Sequence, residues 1–115
     1  MSLPEADVER VRAYCAQASP AEHADEARVE CVVAGSSITI VEATRLGAER
    51  DEDWLRVPNA RLDHDAATGG WVLFCFDADS EPMRYDVWEP DFTLPTSVES
   101  ILAEVEADPT DVFWG

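Results

Sequence analysis

Arg28-Val-Glu-Cys-Val-Val-Ala-Gly-Ser-Ser-Ile-Thr-Ile40 is the stretch on which the fold turns. Val29, Cys31 and Val33 alternate with Arg28 and Glu30, the two-residue period of a strand with one buried face. Gly35-Ser36 supplies the residue types of a two-residue type II′ hairpin turn. Closing the hairpin there sets Val33 opposite Ile38 and Cys31 opposite Ile40, so both strands bury the same face. A one-residue slip would turn one strand's apolar set toward water, which fixes the register.

Toward the N-terminus, Ser2-Leu3-Pro4-Glu5 reads as a capping box with proline in the first turn. Val8, Val11, Cys15 and Ala18 follow at spacings of three and four, one face of a helix. Ser19-Pro20-Ala21-Glu22 repeats the capping pattern and is expected to open a single short turn.

Toward the C-terminus, residues 44–53 are polar and aperiodic, a surface loop. A third strand is expected within 54–64, with Pro58 at an edge, at a bulge or before the paired part. A turn at 65–70 leads to Trp71-Val-Leu-Phe-Cys-Phe76, the strongest strand signal in the chain. After a second turn at 77–82, Met83-Arg-Tyr-Asp-Val87 reads as a fifth strand. Thr96-Ser-Val-Glu99 caps a last helix whose stripe is Val98, Ile101, Leu102 and Val105, and Asp108-Pro109 stops it. Phe113 and Trp114 are expected to fold back onto the body, since burying each is worth roughly 1.5 to 3 kcal/mol. The sum is an α+β domain over residues 1–115: a single antiparallel sheet of about five strands, with N- and C-terminal helices packed on one face.

Asp and Glu number 25 against 8 basic residues, for a formal net charge of -17. All the basic residues are Arg. Such a surface repels phosphate backbones and anionic membranes, so direct nucleic-acid and membrane binding are not expected. No apolar run approaches a membrane span. The N-terminus has no basic region followed by an apolar stretch, so no signal peptide is read. Cys15, Cys31 and Cys75 are odd in number, widely spaced and free of any C-x-x-C pair, as expected of reduced core thiols in a cytoplasmic protein.

Four stretches carry a resemblance to a known family. They are Arg10-Val-Arg-Ala-Tyr-Cys15, Ser37-Ile-Thr-Ile-Val-Glu42, Ala60-Arg-Leu-Asp-His-Asp65 leading through Gly70-Trp71 to Arg84-Tyr-Asp86, and Ala107-Asp-Pro-Thr-Asp-Val-Phe-Trp-Gly115. Together they resemble the short bacterial proteins grouped as domain of unknown function 3024. The terminal Asp-Pro-Thr-x-x-Phe-Trp-Gly is the most specific piece. The chain departs from that pattern by its acidity, above all in residues 44–53. The resemblance implies a self-contained domain in a bacterial cytoplasm and brings no activity, cofactor or catalytic residue with it.

Three constellations are candidates for chemistry. Asp63-His64-Asp65 places two carboxylates beside an imidazole, but strand alternation sends His64 to the opposite face, so no metal site is expected. His23 is read as an exposed side chain. Arg61, Arg84, Tyr85 and Asp86 have the groups to orient an anionic ligand, or to form cross-strand ion pairs on a solvent face. Strand 71–76 is apolar on both faces. Phe74 and Phe76, with Tyr85, are then expected to line a groove or a dimer contact unless residues 88–95 or the Phe113-Trp114 tail cover them. No Gly-rich phosphate loop, supported Ser-His-Asp order or activated cysteine is present, so neither a catalytic residue nor a cofactor is expected.

The sequence therefore favours a non-enzymatic binding or regulatory module acting through protein contact, with a protein partner or a second copy as the occupant. A sharper form is a nucleic-acid mimic, which requires carboxylates at regular spacing on one face. The alternative is a small ligand-binding protein or enzyme with a site near Arg61, His64 and Tyr85. The binding candidates on these readings are Arg61, His64, Phe74, Phe76, Tyr85 and Asp86.

Overall fold

The computed structural model describes residues 3–19, 27–45, 54–85, 96–109 and 111–114. Helix α1 spans Glu5–Ala18 and helix α2 spans Val98–Ala107. Strands β1 (Ala27–Ala34), β2 (Ser37–Arg45), β3 (Trp54–Asp65), β4 (Gly70–Phe76) and β5 (Pro82–Arg84) form one antiparallel sheet in sequential order. The β1–β2 register is the expected one, with Val33 opposite Ile38 and Cys31 opposite Ile40. Gly35 takes φ 60° while Ser36 keeps a negative φ, as a type II′ turn requires.

Both helices pack on the face presented by Ile38, Ile40, Ala60, Leu62, Trp71, Leu73 and Cys75. Val11 and Cys15 come down from α1, and Val98, Ile101, Leu102 and Val105 from α2, the full stripe read from its spacing. Cys15 has its thiol pushed up to about 12, first by burial and then by the neighbouring Cys31, which removes it as a nucleophile at neutral pH.

Both helix starts differ from the capping boxes. The N-cap of α1 is Pro4, with no side-chain cap, and its carbonyl accepts from Asp7 and Val8 N–H at 3.1 Å. Leu3 and Val8, one before the cap and four after it, both pack against the core and set the entry as a hydrophobic staple would. In α2 the cap is Ser97, whose Oγ accepts from Ser100 N–H at 3.2 Å. The carbonyl of Thr96 accepts instead from Trp71 N–H, tying that residue to β4 and delaying the helix by one position.

Pro58 falls at a bulge. Ile40 pairs with Ala60 and Val41 with Pro58, so Asn59 is the extra residue on β3. The pairing of β3 with β4 begins only at Arg61, which leaves the Pro58 edge outside that ladder. Strand β5 is shorter than expected and ends at Arg84. The short turn expected after Ser19, His23, most of the 44–53 loop, Asp86, Val87 and residues 88–95 lie outside the described residues.

Candidate functional site

Strand parity splits the candidate residues between two faces. Arg61 pairs with Phe74 and Phe74 with Arg84, so all three point away from the helices, with Phe76 on the same side. His64 alternates with Arg61 and Asp63 and lies on the helix side, edge-on to Trp71 with ring centroids 5.0 Å apart. Its Nε2 is buried with no hydrogen-bond partner among the described residues. Tyr85 also lies on the helix side. It is buried, stacks at 4.9 Å on Phe113 and donates its hydroxyl to Glu104 at 2.7 Å. A pocket shared by Arg61, His64 and Tyr85 is therefore not formed, and Tyr85 does not join Phe74 and Phe76. Among the described residues no group of three His, Cys, Asp or Glu is placed to hold a metal ion.

On the face away from α1 and α2 the described residues form two ion-pair clusters, each with an aromatic ring beside it. In the first, Arg61 grips Asp63 with both ends of its guanidinium, Nε to Oδ1 at 2.7 Å and Nη2 to Oδ2 at 2.9 Å. Ser37 Oγ donates to the same Oδ1 at 2.8 Å. The guanidinium lies over the Phe74 ring at 5.4 Å. In the second, Glu30 bridges Arg56, at 2.8 Å, and Arg28, at 3.0 Å. Arg28 sits over the Trp54 ring at 4.2 Å. The Arg28 Nε–H is not aimed at the carboxylate it neighbours and has no hydrogen-bond partner among the described residues.

Burial alone would raise the Asp63 carboxyl, but the hydrogen bonds from Arg61 and Ser37 together outweigh it and hold the group below its ordinary 3.8. Glu30 is held below its ordinary 4.5, chiefly by the hydrogen bond from Arg56 and against burial, with Arg28 adding charge. A carboxylate depressed on folding contributes stability that is complete above its unfolded value and is lost as pH falls through its folded value. Melting curves between about pH 6 and pH 2.5 should therefore drop more steeply for the wild type than for the Asp63→Asn/Glu30→Gln variant. Parallel acid branches would deny both clusters a role in stability.

The described arginines are distributed unevenly. Arg28, Arg45, Arg56, Arg61 and Arg84 all sit on the helix-free face by parity, while Arg10 and Arg12 lie on α1. Acidic residues dominate the opposite layer, with Glu5, Asp7 and Glu9 on α1 and Glu99, Glu104 and Glu106 on α2. From the sequence only Arg61 and Arg84 were grouped, and Arg28, Arg45 and Arg56 were not joined to them. The available signal was that Arg28, Arg61 and Arg84 alternate with the core-facing Val29, Leu62 and Tyr85, whereas Arg56 reaches the same face only through the bulge at Asn59.

A family model described as Domain of unknown function (DUF3024) matches residues 2–115. The chain belongs to this family. Comparison with curated proteins and with solved structures finds no match. Three of the stretches by which the sequence resembles DUF3024 supply bonds between separate parts of the fold. Tyr14 donates to Glu106 at 2.8 Å between the helices, and burial followed by that hydrogen bond raises its phenol well above the ordinary value. Trp71 Nε1 donates to Asp7 at 2.8 Å. In the terminal DUF3024 stretch, Asp108 accepts from Phe113 N–H at 3.1 Å and Trp114 N–H at 2.9 Å. Trp114 in turn donates its indole N–H to Val105 at 3.1 Å. Phe113 is thereby seated in the core, as its place near the terminus led one to expect.

Proposed function

We propose that this DUF3024 chain is a non-enzymatic, cytoplasmic contact module whose recognition surface for a partner protein is the helix-free face of the sheet. The observation that carries this reading is the collection of Arg28, Arg45, Arg56, Arg61 and Arg84 with Trp54, Phe74 and Phe76 on one face of a chain of net charge -17. Arg and large aromatics are the residues most enriched at the energetic centres of protein interfaces, and Lys is depleted there. Arg28 and Arg61 are already stacked on aromatic rings, so little side-chain freedom remains to be lost on binding. The net charge of the whole body argues against a nucleic-acid partner. The spread of described carboxylates over both helices, the β4–β5 turn and the sheet argues against a phosphate mimic.

The test is affinity capture from source-organism lysate with the wild type, a Phe74→Ala/Arg84→Glu variant and a Glu99→Arg control on α2. A protein held by the wild type and the control should fall at least tenfold with the face variant, provided its melting temperature stays well above that of the assay. Equal capture by all three would end the reading.

A further inference from the structure

We infer that the outer edge of β1 is a strand-addition site for an extended segment of a partner protein in which basic and apolar side chains alternate. The inference stands apart from the helix-free face and rests on the backbone. A two-residue hairpin makes Ala34 and Ser37 a hydrogen-bonded pair, and the alternation then sends the N–H and C=O of Val29, Cys31 and Val33 away from β2. Ser19 confirms this parity. Its Oγ accepts from Val29 N–H at 2.9 Å and donates to Val29 C=O at 3.2 Å, capping the edge at that residue. Beyond Val29, the outward groups of Cys31 and Val33 meet no partner among the described residues.

Folded proteins usually blunt such edges. The opposite edge here is blunted, since β5 has three residues and begins with Pro82. The open part of β1 has no Pro, bulge or inward charge, and Val32 and Val33 are 49% and 40% exposed. Beside it lies a cleft of about 540 Å³ between α1 and the hairpin tip, with Leu3, Val8 and Val33 in its walls and Glu5, Glu9 and Arg12 at its rim.

These surroundings fix the chemistry of the occupant. A strand laid along Cys31–Val33 alternates its side chains between the cleft and the flank of Val32. A Lys or Arg entering the cleft packs its stem on Val8 and Val33 and brings its charge to Glu5, and to Glu9 in competition with Arg12, which stands 3.6 Å from that carboxylate. The neighbouring residues, on the other face, are small and apolar against Val32. A second copy of this chain is a poor occupant, because two bodies of net charge -17 repel one another.

The probe is a synthetic peptide of alternating Arg and Val, seven residues long, labelled for fluorescence anisotropy at about 0.15 M salt. The control peptide is N-methylated at alternate residues on the ladder side, which keeps charge and side chains but blocks pairing. The protein variant is Val33→Pro, which removes an outward N–H and leaves the β1–β2 ladder intact. Binding should weaken at least tenfold with either change while Val33→Pro keeps its melting temperature within a few degrees. Were Val33→Pro to lose its fold, the N-methylated peptide alone would decide. Equal binding of both peptides would reduce the effect to charge attraction and overturn the inference. So would a dimer in sedimentation that Val33→Pro dissolves, since the edge would then be filled by a second copy.

Discussion

Trp71→Ala is expected to lower the unfolding free energy by about 4 kcal/mol, near the upper end for loss of a large buried side chain. The residue is 3% exposed and sits where four elements meet. Its indole N–H reaches Asp7 on α1, its ring stands edge-on to His64 on β3, and its backbone N–H holds Thr96 at the approach to α2. A domain of this size is typically stable by only about 5–15 kcal/mol, so the loss should lower the melting temperature by roughly 15 °C or leave the chain unfolded. Trp71→Phe separates packing from hydrogen bonding, for it keeps most of the ring and removes the donor. Asp7 is half-buried and regains water, so the cost of that change should be only about 1–2 kcal/mol. With Asp7→Ala added, little further should be lost, because both changes delete the same bond. Additive losses in urea melts would show that the Trp71–Asp7 bond contributes nothing of its own.

What could be read from the residues depended on how local the deciding contact was. The β1–β2 register followed from a two-residue turn and two alternating strands, all within thirteen neighbouring positions. The α2 stripe was equally local. Tyr85 shows the opposite case. Its face depends on how β5 meets β4, and that register is set by the Asp77–Glu81 turn. There Asp77 Oδ1 accepts from Asp79 and Glu81 N–H, and Ser80 adopts φ 61°. A serine in the left-handed region carries no sequence signal comparable to glycine's. Pairing Phe74 with Arg84 sets Tyr85 opposite Leu73, on the core side, whereas a one-residue slip would set it beside Phe74. Tyr85 is parted from Arg61 for this reason and His64 by alternation along β3 alone, while Arg61 and Phe74 came together because a longer register holds them.

Asp108 substitutions should rank Asn, Gly, Ala in increasing damage, with Asp108→Ala costing about 3 kcal/mol. Two separate demands meet at this residue. Its backbone ends α2 at φ 43°, a conformation that Asn and Gly tolerate and Ala resists by about 1 kcal/mol. Its carboxylate accepts from the Phe113 and Trp114 N–H groups, one on each oxygen. Gly keeps the backbone and loses both acceptors, Asn keeps one acceptor and tolerates the backbone, and Ala fails on both counts. Without the latch, Phe113 leaves a site where it is 4% exposed against Tyr85. Hydrogen exchange at the Trp114 indole should quicken in the same order, because its bond to Val105 depends on the latch. A flat series would assign the terminal Asp-Pro-Thr-x-x-Phe-Trp-Gly to something other than holding the fold. The expected gradient makes this most specific stretch of the DUF3024 resemblance a fastening between α2 and the sheet, and directs the search for recognition to the Arg-bearing face and the β1 edge.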